Sequence, residues 1–374
     1  MRWIVGIIAV LGAAVLLAAY GPGALNAVKF DPPAPDPALE ALFADPAEPA
    51  VREAADLYGA EDLEPGPDGR LYTGLADGRI MARGPDGGWA EIANTGGRPL
   101  GLAFVPDGAL FVADAKKGLL RLGADGTFET WMADESEGGP LVFTDDLTVL
   151  ADGSVILTDA SRRWGYGEYM TSFLEGEQTG IVYRITAPGE YDALAEGFAF
   201  INGVDHDPET GLVYLNETYA GRVWTLDPET GETEVLIEGL PGYPDNLEFD
   251  ADTGLLWIAM PSKRSADLDA LHPRPFVKRL MWRWIQIAGL PPLPPRPAMA
   301  LAVTTGGEPA YALYGPDDTS FGITTATPWR GQVWTAGLER PAIDAYDAPA
   351  DIVPPFTESA GVDDAPEPAA EPNP

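Results

Sequence analysis

The sequence predicts an all-β protein, a six-bladed β-propeller, with an N-terminal transmembrane helix and a helical insertion between the fifth and sixth blade turns. Three observations point there. Glycine-containing turns followed by apolar, strand-like runs recur along the chain: Pro67-Asp68-Gly69-Arg70-Leu71-Tyr72, Pro106-Asp107-Gly108-Ala109-Leu110-Phe111, Ala151-Asp152-Gly153-Ser154-Val155-Ile156, Glu209-Thr210-Gly211-Leu212-Val213-Tyr214, Asp252-Thr253-Gly254-Leu255-Leu256-Trp257 and Arg330-Gly331-Gln332-Val333-Trp334. Their intervals are about 40 to 60 residues with one longer gap, which suits four-stranded blades carrying loop insertions. Second strands follow the turns, such as Gly118-Leu119-Leu120-Arg121-Leu122 and Gly180-Ile181-Val182-Tyr183-Arg184-Ile185, rich in β-branched and aromatic residues. A pair of β-sandwiches is the competing architecture.

Residues 1–27 open with an uncharged run from Trp3 to Ala27, and its core from Trp3 to Tyr20 is long enough for a short span, since about 20 apolar residues cross a bilayer. With Arg2 on the cytoplasmic side, this gives an inner-membrane anchor and an exported domain. A cleaved signal peptide is the alternative and exports the domain equally. Residues 28–50, rich in Pro and Ala, read as a solvated linker, and residues 51–350 as the propeller.

The insertion, 261–300, lies in the long gap and holds seven of the 23 basic residues. Phe276 to Ile287 reads as a short basic helix bearing Trp282 and Trp284. It suits either an anionic lipid surface or a cap over one propeller face with its arginines in water. Residues 351–374 are Ala, Pro and acid, the composition of a disordered tail.

Composition excludes several functions. A net charge of −35 and a pI near 4.1 argue against nucleic acid as a partner. With no cysteine and two histidines, thiolate zinc sites and disulfides are excluded, and a His-based metal centre or Ser-His-Asp triad has little to draw on. A metal here needs oxygen ligands, and Ca²⁺ is the natural candidate.

The first strand of each propeller blade borders a central channel, so donors for an axial ion belong just before each blade's turn. Glu61 lies seven residues before Asp68 and Asp145 seven before Asp152; Asn202 lies eight before Thr210 and Asp245 eight before Thr253. These four are the candidate calcium ligands. Asn246 is a fifth ligand or a turn residue. His206 shares a strand phase with Asn202, so both Asn246 and His206 are additional pocket candidates. Asp114 and Asp159 end apolar strands and read as ties to blade backbone, and His272 as structural.

Gly97-Arg98-Pro99-Leu100-Gly101-Leu102, Val112-Ala113-Asp114-Ala115, Leu157-Thr158-Asp159-Ala160-Ser161 and Pro244-Asp245-Asn246 are the most specific pieces of a resemblance running from about Gly59 to Tyr346. The chain resembles the strictosidine synthase-like and adipocyte plasma membrane-associated protein family, with gluconolactonases and paraoxonases more distant. The resemblance implies a six-bladed propeller holding calcium, at positions matched by Glu61, Asp145, Asn202 and Asp245. Two departures bear on activity. Asp145 stands where the family usually has Asn. Trp257-Ile258-Ala259 is followed by Met260-Pro261-Ser262-Lys263-Arg264, without the glutamate of strictosidine synthases proper, which argues against amine–aldehyde condensation. No paraoxonase-like histidine pair is evident. The expectation is a calcium-dependent hydrolase of small-molecule lactones or related esters with Asp245 as the proton acceptor, attached to a membrane by the N-terminal helix and the basic insertion. The alternative is a non-catalytic binding or scaffold propeller with a structural calcium. Pocket shape would rest on the loops 131–141 and 162–178 and on the insertion.

Overall fold

The computed structural model describes residues 2–54, 56–105, 108–289, 296–315 and 322–354, with side chains in the first helix described for Trp3 and from Val10 onward. Six four-stranded antiparallel sheets make up the β-structure. Blade 1 contains Glu64–Pro65, Leu71–Gly74, Arg79–Arg83 and Trp89–Asn94; blade 2 Pro99–Phe104, Leu110–Asp114, Gly118–Leu122 and Phe128–Ala133. Blade 3 contains Thr144–Val149, Val155–Asp159, Gly180–Ala187 and Glu190–Phe198; blade 4 Ile201–His206, Val213–Glu217, Arg222–Leu226 and Thr233–Glu238. Blade 5 contains Leu247–Asp250, Leu255–Met260, Ala298–Thr304 and Pro309–Gly315. Blade 6 takes Thr325–Trp329, Gln332–Ala336 and Ile343–Asp347 from the end of the chain and its outer strand, Val51–Glu53, from the beginning. That pairing closes the ring, and Arg52 reinforces it with a two-nitrogen grip on Asp344 at 2.7 and 2.9 Å.

The core is divided among the blade interfaces. Tyr72, Ile80, Leu102 and Leu120 pack between blades 1 and 2, Phe111, Leu119, Leu147 and Val155 between 2 and 3, and Ile156, Val182, Val204 and Leu215 between 3 and 4. The ring continues with Tyr214, Val223, Leu256 and Leu301, then Trp257, Ala300, Ala326 and Val333, and closes with Trp329, Trp334, Leu71 and Met81. Middle strands such as Leu110–Asp114 and Leu255–Met260 are therefore buried on both faces and lack polar alternation, while the outer strand Trp89–Asn94 is largely exposed.

Among the described residues five α-helices accompany the ring: α1 (Arg2–Tyr20), α2 (Pro37–Glu40), α3 (Tyr169–Glu175), α4 (Ala266–Leu271) and α5 (Pro275–Ala288). The insertion thus belongs to blade 5, between its second and third strands, and α5 forms where the basic helix was expected. Its arginines, however, neither project into water nor form a basic surface. Arg283 donates to the carbonyls of Ala18, Gly21 and Pro22, Arg279 to those of Leu25 and Ala27, and Trp282 to that of Gly23. They satisfy the carbonyls that the end of α1 and the following turn leave open.

The expected transmembrane helix is not supported. Among the described residues no helix is long and apolar enough to cross a membrane, and the end of α1 is docked on α5. Nor do residues 28–50 behave as a solvated linker. Phe30, Leu39 and Phe43 are buried, Val28 and Phe30 donate to the carbonyls of Glu175 and His272, and Arg264 donates to that of Pro33. Three large apolar side chains in a short segment are enough to hold it against the domain. The tail from 355 onward and the proline run 291–295 lie outside the described residues.

Candidate functional site

The innermost strands break where the site begins. Pairing skips the residues between Thr144 and Leu147 in blade 3, between Ile201 and Val204 in blade 4, and between Pro99 and Leu102 in blade 2. Such irregularities re-aim side chains, and here they coincide with Asp145, Asn202 and the residues after Arg98 and Pro99. Two glycines are required by the close approach of neighbouring blades. A Cβ on Gly203 would lie 2.5 Å from the Asp245 carbonyl, and one on Gly101 would lie 2.8 Å from the Asp146 Cα. Phe200 holds a left-handed backbone, φ 64°, stacked on Tyr219 and edge-on to Phe143.

All four predicted ligands come together. Asn202 Nδ2 donates to Asp245 Oδ1 at 2.7 Å, and Asn246 Nδ2 reaches across from blade 5 to Glu61 Oε1 at 3.1 Å. Asp145 is close enough to Glu61 and Asp245 for both charges to act on it. Burial first, then this mutual repulsion, pushes the Glu61 carboxyl up to about 8 and that of Asp145 well above the ordinary range. Burial likewise pushes Asp245 up to about 7, against the hydrogen bond from Asn202. Asp245 is half-buried, whereas Glu61, Asp145, Asn202 and Asn246 are buried.

His206 does not join them. Its Nδ1 lies 2.9 Å from Thr148 Oγ1, and four residues along a strand put it about 13 Å from the level of Asn202.

Among the described residues, no group of three or more His, Asp or Glu side chains forms a metal cage by itself. The amides complete the set. Glu61 Oε2, Asp145 Oδ2, Asn202 Oδ1 and Asn246 Oδ1 are buried acceptors with no hydrogen-bond partner in the structure. Four orphaned oxygens, from blades 1, 3, 4 and 5, are a poor arrangement for a closed protein core and a good one for a hard cation. The residues present therefore fit calcium.

Several contributors carry no clear mark in the sequence. Asn216 donates to the carbonyls of Asp245 and Asn246 at 2.7 and 3.2 Å, fixing the Pro-Asp-Asn turn. Asp62, Asp146 and Asp205 each bond the backbone N–H of the next blade, at Leu102, Val204 and Phe249. Glu64 does the same at Phe104. Their recurrence directly or shortly after the candidate ligands, as in Glu61-Asp62 and Asp145-Asp146, is the signal that could have found them. Asp114 and Asp159 behave as read, bonding the N–H groups of Arg98 and of Val142 and Phe143.

Beside the candidate ligands Asp145 and Asn202, Phe143, Phe200 and Tyr219 form an aromatic cluster with Tyr166, Tyr169 and Phe173 packed against it. Helix α3 carries part of it. Phe173 stacks on Tyr219, and Tyr219 Oη donates to the Tyr169 carbonyl at 3.0 Å. The outer side of α3 is fixed to the N-terminal segment and α5: Asn26 N–H donates to Glu175 Oε1 at 2.7 Å and buried Lys278 to the Glu175 carbonyl at 2.7 Å.

A six-bladed propeller with buried oxygen-bearing side chains drawn from four of its blades is the class that fold and site define. The chain belongs to the SMP-30/gluconolactonase/LRE-like family, matching it over residues 71–268, and residues 51–83 match the N-terminal region of strictosidine synthase-like proteins. It is 32% identical to strictosidine synthase-like protein 13 of Arabidopsis thaliana over 260 residues, 61% of this chain, and spans 64% of that relative's length. It is 30% identical to the adipocyte plasma membrane-associated protein of Rattus norvegicus over 66% of this chain and 72% of that one. Two solved structures share the fold: a gluconolactonase from Xanthomonas campestris (TM-score 0.57, 15% identity, 87% of this chain and 97% of that one) and regucalcin, a calcium-binding protein, from Agrobacterium tumefaciens (0.56, 15%, 83% and 98%).

Proposed function

We propose that the protein is a calcium-dependent hydrolase of lactones or related esters. The observation that carries this reading is the set of orphaned oxygens on Glu61, Asp145, Asn202 and Asn246 beside the half-buried Asp245. Bound calcium would supply Lewis-acid polarisation of the ester carbonyl and a more acidic water. Glu61, Asp145, Asn202 and Asn246 would hold the cation. Asp245 accepts the proton of the attacking water, the Asn202 amide keeping one of its oxygens in place. The aromatic cluster excludes bulk water and offers an apolar surface to the acyl or ring carbons. The gluconolactonase-like family and the gluconolactonase among its structural neighbours support the substrate class.

A lactone and ester panel, read with calcium, with chelator and in the Asp245→Asn variant, tests this. Turnover by the wild type with calcium, abolished by chelator and reduced by on the order of 10²-fold or more in the variant, is expected. No turnover of any member at saturating calcium would sink it. The second reading, a scaffold propeller with structural calcium, is favoured by the closed packing of Phe143, Phe200 and Tyr219 beside the site.

We also propose that the α1/α5 face meets a lipid surface. Val10, Leu11, Leu16 and Leu17 of α1 and Trp284 and Ile287 of α5 are exposed, and a relative is named as plasma membrane-associated. Because Arg279 and Arg283 are engaged by backbone carbonyls, the attraction is apolar. Flotation with neutral vesicles should match that with anionic ones, and flotation with anionic vesicles alone would contradict this.

A further inference from the structure

Blade 2 supplies none of the candidate ligands. Where blades 1, 3, 4 and 5 present Glu61, Asp145, Asn202 and Asp245, its innermost strand is entered through Arg98, a side chain only 1% exposed. Arg98 Nη1 donates to the Pro99 carbonyl at 3.0 Å and Nε to Tyr166 Oη at 3.2 Å, but Nη2 has no acceptor. The backbone N–H of Arg98 is pinned by Asp114 Oδ1 at 2.8 Å, so the position of the residue is built rather than incidental.

A buried guanidinium nitrogen without an acceptor is destabilising unless something else completes it. The neighbours suggest what does. The guanidinium is near enough to Glu61 for its charge to favour the ionised carboxylate. With Asp62 and Asp146 beside Glu61 and Asp145 the surroundings are strongly acidic, and Arg98 offsets part of that charge. Tyr166, which holds Nε, also lines a cavity of about 350 Å³ together with Ala115, Lys116, Asp134 and Val142. Lys116 Nζ lies 5.6 Å from the centre of the same ring, a positive charge beside the Asp134 and Glu135 carboxylates that also line the cavity.

We propose that Arg98 is the anion-recognising residue of this channel mouth, its free Nη2 donating to an oxygen of a ligand carboxylate. The guanidinium suits that role because a charge-assisted hydrogen bond to a carboxylate is stronger and more directional than one to a neutral carbonyl. The inference deepens the hydrolase reading and rests on it for the origin of the carboxylate, the acid that ester or lactone opening releases. It does not need turnover for the binding itself.

The test is titration calorimetry on the calcium-loaded full chain with 5-hydroxypentanoate, the opened form of a simple lactone, and with uncharged pentane-1,5-diol. The wild type is expected to bind the acid and to ignore the diol. Arg98→Gln should weaken binding of the acid at least tenfold while calcium affinity, measured separately, stays equal or rises because a nearby positive charge has gone. Arg98→Lys should fall between the two, and Tyr166→Phe, which keeps the guanidinium but frees Nε, should lose a few-fold. Equal affinity for the acid in wild type and Arg98→Gln overturns the proposal, as does a calcium-loaded wild type that binds no carboxylate. If Arg98→Gln does not fold, unchanged binding in both Arg98→Lys and Tyr166→Phe overturns it instead. Arg98-dependent binding in a protein that opens no lactone removes the hydrolase reading and leaves this one. Lactone opening with Arg98-independent binding of the acid does the reverse.

Discussion

Lowering the pH from 8 to 6 is expected to weaken calcium binding steeply. With no cation present, burial and mutual repulsion hold Glu61 at about 8 and Asp145 well above the usual carboxylate range, and burial holds Asp245 at about 7. A hard cation needs Glu61 and Asp145 ionised to hold it, and its charge favours the ionised form of Asp245 beside them. At pH 7 Glu61 is then about nine-tenths protonated and Asp245 about half, and the raised Asp145 adds to them, so one calcium expels more than one proton. Linkage turns this into an apparent affinity that rises by more than one decade per pH unit near neutrality. The same groups act oppositely on the calcium-free fold. In the unfolded chain they titrate near 4, in the folded one near 7 and above, so the unfolded state loses its protons first. Stability without calcium is therefore greatest in acid and falls as the pH rises from about 4 through about 8. Calorimetric titration at pH 7 in two buffers of different ionisation enthalpy counts the protons, and competition with a chelator from pH 6 to 8 gives the slope. Release of no protons, with an affinity flat across that range, would refute the idea that these carboxylates converge on the ion.

Two further outcomes follow from other parts of the ring. Asp62→Ala removes the acceptor for both Leu63 N–H and Leu102 N–H and should cost about 2–4 kcal/mol in chemical denaturation; a change below about 0.5 kcal/mol would show that the blade 1 to blade 2 tie is not structural. His272 has neither ring nitrogen bonded, packs edge-on to Phe30 at 5.2 Å and is pushed down to about 3 by burial, so it folds neutral and erodes stability as the pH falls from about 6.5 toward 3. His272→Phe should keep stability within about 1.5 kcal/mol at pH 7 and flatten that acid decline, whereas a large loss at neutral pH would mean that the imidazole makes a polar contact of its own.

The blades were readable because each announces itself with a glycine turn before a β-branched strand, and the candidate donors Glu61, Asp145, Asn202 and Asp245 stand out because they keep nearly the same distance from that turn. Helix α5 was readable from its own pattern. What α5 does was not, because Arg279 and Arg283 bind main-chain carbonyls near residues 18–27 that no side-chain pattern marks. For the same reason residues 28–50 looked like a solvated spacer: Pro and Ala dominate the composition, and Phe30, Leu39 and Phe43 are too few to raise a periodic signal although they bury fully. Arg98 stands out in the sequence only as part of the Gly-Arg-Pro-Leu-Gly stretch, since the missing acceptor on its Nη2 is a property of the packed site. The strand irregularities that turn Asp145 and Asn202 inward depend on pairing across two strands and cannot be seen in one.

The most direct measurement is the anomalous signal of calcium, or of a lanthanide in its place, in crystals of the protein. A single peak on the propeller axis, about 2.3–2.6 Å from Glu61 Oε2, Asp145 Oδ2, Asn202 Oδ1 and Asn246 Oδ1, is the expected result. A peak held by other side chains, or none in crystals soaked at millimolar calcium, would contradict it.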